Sequence, residues 1–346
     1  MRGIVLMLTF LLVLPVRARA VTITAPTVPL SGAESMPERT DSFADGLWEL
    51  LQRALETVQP GLREAARSSL SVMAAVMMAA VLQMTAPDRG RLVELAAVGA
   101  VAAMLLESTH SLIRLGMETV QELSQYGKLL LPVMTAALAA QGGVGTGTAL
   151  YGGTVVFDAV LSSLIARLLA PMLYLYLALA TAGGAMGEQT LGKMRDLVKS
   201  FVSWCLKILL TIFTTYMSIT GVVSGTTDAA ALKAAKVTIS SVVPVVGGIL
   251  SDASEAVLVS AGLMKNSAGI YGILATLAVF LTPFLRIGTQ YLVLKMTAAV
   301  CGIFGSKGVV DVIGDFSTAM GLLLAMTGSV CLMLLVSTVC FLKGVG

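Results

Sequence analysis

The stretch Ala319–Leu342, AMGLLLAMTGSVCLMLLVSTVCFL, decides the fold class of this chain. Its 24 residues include no Asp, Glu, Lys, Arg or His. A helix needs about 20 mostly apolar residues to cross the hydrocarbon core of a bilayer. The stretch therefore predicts a transmembrane α-helix near the C-terminus.

The composition extends this conclusion to most of the chain. Of 346 residues, 56% are apolar and 12% are charged, and the mean hydropathy is +0.89. Soluble domains carry about 25% charged residues. Because half that share cannot cover the protein surface with ionised groups, we expect most of the chain to be solvated by lipid.

The sequence also excludes several classes of function. A net charge of +3 gives no basic excess that would favour nucleic acid as a partner. The single histidine, His110, and four cysteines without a C-x-x-C pair predict neither a metal site nor a disulfide framework. The chain contains no phosphate-binding G-x-x-x-x-G-K-S/T loop, no G-x-S-x-G motif and no H-E-x-x-H pair. We therefore expect no enzyme activity and no cofactor.

Residues 1–20 have the three parts of a secretory signal peptide. A positive start precedes a mostly apolar run at 4–14, and residues 18–20, Ala-Arg-Ala, match a cleavage site. Cleavage would place the mature N-terminus outside the cytoplasm; an uncleaved anchor is the alternative. A polar leader follows at 21–46, and apolar residues spaced three and four apart predict an amphipathic helix at 47–67.

Eight stretches, with 319–342 among them, have the length and apolarity of membrane-crossing helices. They are 69–86, 92–113, 149–168, 170–187, 201–223, 269–286, 288–305 and 319–342. The expected fold is all-α, a polytopic membrane protein of about eight transmembrane helices. The first two stretches form a hairpin at 68–111. With an even number of spans, both termini lie on the same side of the membrane.

Two apolar runs, 129–141 and 237–250, are too short to cross a bilayer. Each contains a proline, Pro132 or Pro244, and each leads into or contains adjacent glycines. Broken backbone inside a bilayer is tolerated only where protein or a water-filled cavity satisfies its polar groups. We therefore predict two re-entrant half-helix hairpins around a wet interior.

The order of these features repeats along the chain. Residues 112–223 and 224–346 each contain one half-span, a Tyr-Gly pair and three predicted crossings, with a proline near the junction of the first two crossings. Three crossings is an odd number, so the second unit would enter the membrane from the opposite face. The pattern predicts an inverted repeat, which in transporters places the working site where the two broken segments meet.

Ionised residues within spans are costly and usually face the protein interior. Asp158 and Lys207 lie deepest in the predicted spans. Two interpretations remain open: they form a structural ion pair, or they line an intramembrane polar path.

The most distinctive stretch joins the predicted repeats. It reads SGTTDAAALKAAK at 224–236 and PVVGGILSDA at 244–253. Local helix capping by Asp228 and Asp252 would explain much of it. It also contains our candidate pore or partner-contact residues: Gly225, Thr226, Thr227, Asp228, Lys233, Lys236, Pro244, Gly247, Gly248 and Asp252.

This motif resembles that of the stage III sporulation protein AE family of endospore-forming bacteria. The signal peptide, polar leader and multi-span body are similar to that family too. The resemblance implies a mother-cell membrane protein around the forespore. It also implies assembly with other membrane proteins of the same operon in a channel or secretion-like complex that supports late forespore gene expression. An ATPase would be supplied in trans. No catalytic residues are implied.

Two other functions fit the sequence alone. Re-entrant hairpins suggest a stand-alone secondary transporter of a small solute. A non-conducting scaffold that anchors partners in the membrane is the third possibility.

Overall fold

The structure is a computed structural model that describes the backbone of residues 43–85, 87–242 and 247–343, and side-chain environments at 45–85, 88–220 and 267–343. The helices are α1 (Phe43–Thr85), α2 (Gly90–Ala140), α3 (Val144–Leu164), α4 (Ala170–Met186), α5 (Gln189–Val242), α6 (Gly247–Cys301) and α7 (Lys307–Lys343). A 3-10 turn, Pro87–Arg89, precedes α2. No strand occurs in these ranges, so the all-α class is confirmed.

The helices form six long rods, because α3 and α4 join through a π-turn, Ile165–Leu169, into one rod of 43 residues. Over the described ranges, all six rods contain a segment long and apolar enough to cross a membrane. The α3–α4 rod and α7 run antiparallel, since Thr154 meets Ser337 whereas Tyr176 meets Asp315. The chain reverses after Thr85, Ala140, Met186 and Cys301.

α7 is the centre of the bundle. It contacts α2, α3, α4, α5 and α6. Large side chains that are fully buried, including Tyr126, Phe213 and Phe316, fill the space around it. Lipid tails are as apolar as these side chains, so burying them between membrane helices gains little from the hydrophobic effect. Close van der Waals packing is therefore a main source of stability.

Glycines allow two rods to touch at one end of the bundle. A Cβ on Gly184 in α4 would lie 2.9 Å from the carbonyl oxygen of Gly308 in α7 and would also overlap Val312. A Cβ on Gly308 would in turn overlap the carbonyl oxygen of Gly184. Small residues permit this backbone approach. Gly187 ends α4 with φ of 68°, a left-handed conformation that favours glycine.

The predicted separation of neighbouring spans is wrong. The stretches 149–168 and 170–187 lie in the single α3–α4 rod, and 269–286 and 288–305 lie in α6, which ends at Cys301. Proline removes one backbone hydrogen bond and crowds the preceding turn, but it need not end a helix. Near Pro171 the widened π-turn accommodates this change. The amphipathic segment 47–67 is likewise continuous with the first predicted span in α1.

The first predicted half-span is also wrong. Residues 129–140 are the last part of α2, which continues through Pro132 without a break. The chain turns at residues 141–143, where Gly142 has φ of 90°. The backbone therefore reverses at the end of a full-length rod. The second predicted half-span, 237–250, includes residues 243–246, which lie outside the described residues.

The Gly184–Gly308 contact can be tested with alanine. Alanine in an open helical site is favoured over glycine by about 1 kcal/mol. We expect Gly184→Ala to lower the free energy of unfolding by about 1–3 kcal/mol, because the new methyl group meets backbone that cannot move aside. The matched control is Gly314→Ala in α7, where a Cβ has open space. Thermal unfolding of the purified protein in detergent measures both. Equal shifts would contradict the close approach.

Candidate functional site

Much of the predicted motif lies beyond the described side chains. Residues 225–236 belong to α5 and residues 247–252 to α6. Their side-chain environments, and Pro244 altogether, lie outside the described residues. The candidate pore or partner contacts at these positions therefore stay predictions.

Asp158 in α3 is buried inside the bundle, with 3% of its surface exposed. Ser124 of α2 donates a hydrogen bond to its Oδ2 atom over 2.6 Å. Its other oxygen, Oδ1, has no hydrogen-bond partner among the residues that the structure describes. A buried carboxylate with one oxygen unsatisfied is energetically costly, and such intramembrane groups are often functional.

Lys207 does not provide the missing partner. Its side chain is exposed on α5, and it forms no salt bridge within the described part of the chain. The interpretation of Asp158 and Lys207 as a mutual ion pair is therefore wrong. Lys128, one turn after Ser124, is the cation whose field acts on Asp158.

Other polar groups near Asp158 pair with one another. Thr154 of α3 and Ser337 of α7 share a hydrogen bond of 2.9 Å, and both are fully buried. Phe157 packs edge-on against Phe213 of α5. Within the described residues, this level of the core is filled by side chains and gives no support to a water path through it.

A polar cavity of about 640 Å³ lies on the flank of the bundle between α1, α2 and α6. Its wall contains charged and polar side chains from all three helices. They are Glu64, Ser68, Glu107, Ser108, Ser111, Arg114, Glu118, Arg286 and Gln290. Arg114 and Glu118 form a salt bridge of 2.9 Å along α2. With carboxylates and guanidinium groups facing one space, the cavity can hold water or a polar surface of another molecule.

Polar stripes extend from this cavity along the outer faces of α1 and α2. We call them together the polar flank, and their side chains are exposed or partly exposed. The polar flank consists of Asp45, Glu49, Gln52, Glu56, Gln59 and Arg63 on α1 and of Ser111, Arg114, Glu118, Gln121, Gln125 and Lys128 on α2. In both helices the spacing alternates between three and four residues, which keeps each set on one face.

The outer surface of α3 and α5 is apolar by contrast. Exposed side chains there include Val144, Val156, Val160, Ile208, Ile212 and Ile219. The hydroxyl groups of Thr211, Thr214 and Thr215 donate to carbonyl oxygens of their own helix. This flank offers lipid few unsatisfied polar atoms.

Sequence reasoning missed a buried ionic cluster, which lies toward the end of the bundle where Gly184 contacts Gly308. Arg195 of α5 donates to Oδ2 of Asp315 in α7 over 2.6 Å, and the hydroxyl group of Tyr176 in α4 donates to Oδ1 over 2.9 Å. Asp315 is 8% exposed and Tyr176 is 1% exposed. Both carboxylate oxygens are thus satisfied, and the cluster joins three helices. Its members lie far apart in sequence, so no local motif marks them.

A family model described as stage III sporulation protein AE matches residues 47–344. The chain belongs to the stage III sporulation protein AE family. It is also 25% identical over 235 residues to the stage III sporulation protein AE of Bacillus subtilis (strain 168), an alignment that covers 68% of this chain and 59% of that protein. The chain therefore spans less than two thirds of that relative. No solved structure matches it.

Family membership confirms the resemblance drawn from the motif. It implies a role in sporulation, and the six apolar rods agree with a membrane protein. The family is one of sporulation membrane proteins and is not a known enzyme family.

The ionic cluster should contribute to stability. Arg195→Met would leave Asp315 as a nearly buried carboxylate without its cation, so we expect the free energy of unfolding to fall by about 3 kcal/mol. The control is Lys199→Met, an exposed position one turn along α5. Replacing both partners, Arg195→Met with Asp315→Leu, should recover most of the loss. A loss from Lys199→Met as large as that from Arg195→Met would refute the assignment.

The environment of Asp158 gives a second prediction. Ser124→Ala removes the one hydrogen bond to the buried carboxylate and should lower stability by about 1–3 kcal/mol. Asp158→Asn removes the charge but keeps the shape, so stability should stay equal or rise. Lys207→Leu, on the exposed face, should change neither stability nor spore yield. Loss of spores with Asp158→Asn at normal stability would assign the charge a functional role; normal spore yield would make it dispensable.

Proposed function

We propose that this chain is a membrane-embedded core component of a multi-protein channel or secretion-like complex between mother cell and forespore. In this proposal it supports sporulation and late gene expression in the forespore. Membership of the sporulation family over residues 47–344 supports the role in sporulation. The geometry of the polar flank supports the place in a complex.

The observation that carries this proposal is the height of the polar flank within the bundle. Residues 208–227 of α5, 266–285 of α6 and 316–342 of α7 contain no Asp, Glu, Lys or Arg, and each is long enough to cross the hydrocarbon core. α2 packs against the last of these stretches, because Gly116 lies against Leu323 and Gly127 against Leu334.

α1 lies at the same height. Leu50 packs with Leu274 and Ala278 of α6, inside the uncharged stretch 266–285. The parts of the polar flank around Glu49 and Lys128 therefore lie at the height where the other helices are uncharged, whereas the end at Arg63 and Arg114 lies beside Arg286 of α6. Charged groups at this depth face protein or water in membrane proteins, since lipid cannot solvate them. A protein with such a flank needs a non-lipid neighbour, which favours a subunit of a complex.

The proposed location is the mother-cell membrane around the forespore, with the N-terminus outside the cytoplasm after signal cleavage. The proposed partners are the other membrane proteins of the same sporulation operon, together with an ATPase supplied in trans. The packed core around α7 argues against the rival proposal of a stand-alone transporter. In our proposal the conduit lies between chains.

Reconstitution tests this proposal. We expect liposomes that contain the purified full chain alone to retain an entrapped polar dye. Liposomes that also contain the operon partners should release it. Dye release by the chain alone would support the transporter, and retention in both preparations would support the scaffold.

A genetic measurement complements the flux assay. Deleting the gene in a spore-forming host should reduce heat-resistant spores by several orders of magnitude and lower late forespore gene expression, and the full chain should restore both. Normal late gene expression in the deletion strain would contradict the proposed role.

A further inference from the structure

We propose that a second copy of this chain covers the polar flank, so that α1 of one copy faces α2 of the next. The inference deepens the proposed function by naming the neighbour, and it rests on that proposal only in placing the chain in a membrane. It concerns the described residues of the two stripes alone.

The dimensions of the stripes suit a helical neighbour that also crosses the membrane. Asp45 to Arg63 spans about 27 Å and Ser111 to Lys128 about 26 Å at a rise of 1.5 Å per residue. The hydrocarbon core is about 30 Å thick. Side chains that alternate at three and four residues average 3.5 per turn, the repeat with which neighbouring helices stay in contact along a left-handed supercoil.

The charges of the two stripes are complementary. The α1 stripe has three carboxylates and one cation: Asp45, Glu49, Glu56 and Arg63; Arg53, beside the stripe, forms a salt bridge with Glu49. The α2 stripe has two cations and one carboxylate: Arg114, Lys128 and Glu118. One stripe is therefore net negative and the other net positive. An α1–α2 contact between copies joins opposite charges, whereas α1–α1 and α2–α2 contacts would join like charges.

The heights of the charged residues agree with this pairing. Leu50 of α1 lies beside Leu274 of α6, and Leu130 of α2 lies against Gly272. Glu49 and Lys128, each within two residues of these markers, are therefore at nearly the same height in copies that share one membrane orientation. Two glutamine side chains also match in height. Gln52 is two residues after Leu50, and Gln125 is five residues before Leu130. Because α1 and α2 run antiparallel, both offsets go in the same direction.

A contact between two different faces of identical chains is heterologous. Such contacts repeat from copy to copy and close into a ring when the rotation permits. Every copy in the ring keeps the same orientation in the membrane, as insertion of one sequence requires. The apolar outer surface of α3 and α5 then remains for lipid. A second copy thus covers the polar flank of the first.

Cross-linking between differently tagged copies tests this arrangement. Gln52→Cys in one full-length copy and Gln125→Cys in another are co-expressed without other sporulation proteins, and the membranes are treated with a short bis-maleimide. We expect a cross-linked dimer that carries both tags, at least tenfold more abundant than in the control. The control pairs Gln52→Cys with Val156→Cys, an exposed position at similar height on the apolar outer surface of α3. Chains with only the four native cysteines give the background.

Two outcomes would overturn the inference. One is a yield of mixed dimer no higher for the α1–α2 pair than for the control. The other is cross-linking only between two Gln52→Cys chains or two Gln125→Cys chains, which would indicate a symmetric contact. The assay uses no spores, so its failure is separate from failure of the proposed function. Lys128→Glu should reduce the mixed dimer several-fold, and Lys128→Arg should retain it.

Discussion

Hydrocarbon cannot solvate ionised side chains, and this constraint organises the exterior of the protein. At the height where α5, α6 and α7 contain no charge, α3 and α5 present valine and isoleucine outward, while α1 and α2 present Glu, Gln and Lys. A surface divided in this way has one side that suits lipid and one that does not. The division explains why a chain with such a high mean hydropathy still carries two continuous polar stripes.

The interior follows a different rule, which is close packing around α7. Buried hydroxyl groups in the core, such as those of Thr154 and Ser337, bond to each other. Where buried polar groups are paired in this way the core is rigid, although Oδ1 of Asp158 has no hydrogen-bond partner among the described residues. Transport through a single copy would require this core to open, whereas transport between copies or partners would leave it intact.

The apolar stretches predicted from the sequence lie in rods that are long and apolar enough to cross a membrane, and the family motif identified the family. The predicted breaks between neighbouring stretches were wrong. Pro132, Pro171 and Pro283 suggested boundaries, but each lies in a rod stabilised by tertiary packing, where loss of one hydrogen bond is tolerated. The stripe on α2 was readable from its three-and-four spacing. The Arg195–Asp315 pair was not, because 120 residues separate its members and only the fold brings them together.

The two buried aspartates differ in how completely the fold neutralises them. Asp315 has a guanidinium and a phenol on its two oxygens, so its charge is compensated and its role is to join α4, α5 and α7. Asp158 has one serine hydroxyl, and the cation that acts on it, Lys128, belongs to the polar flank. Ser124 precedes Gln125 of that flank in α2, so the least compensated charge of the core lies directly behind the surface that needs a neighbour. Lys128 is exposed, so the field that it exerts at Asp158 depends on what covers its side chain.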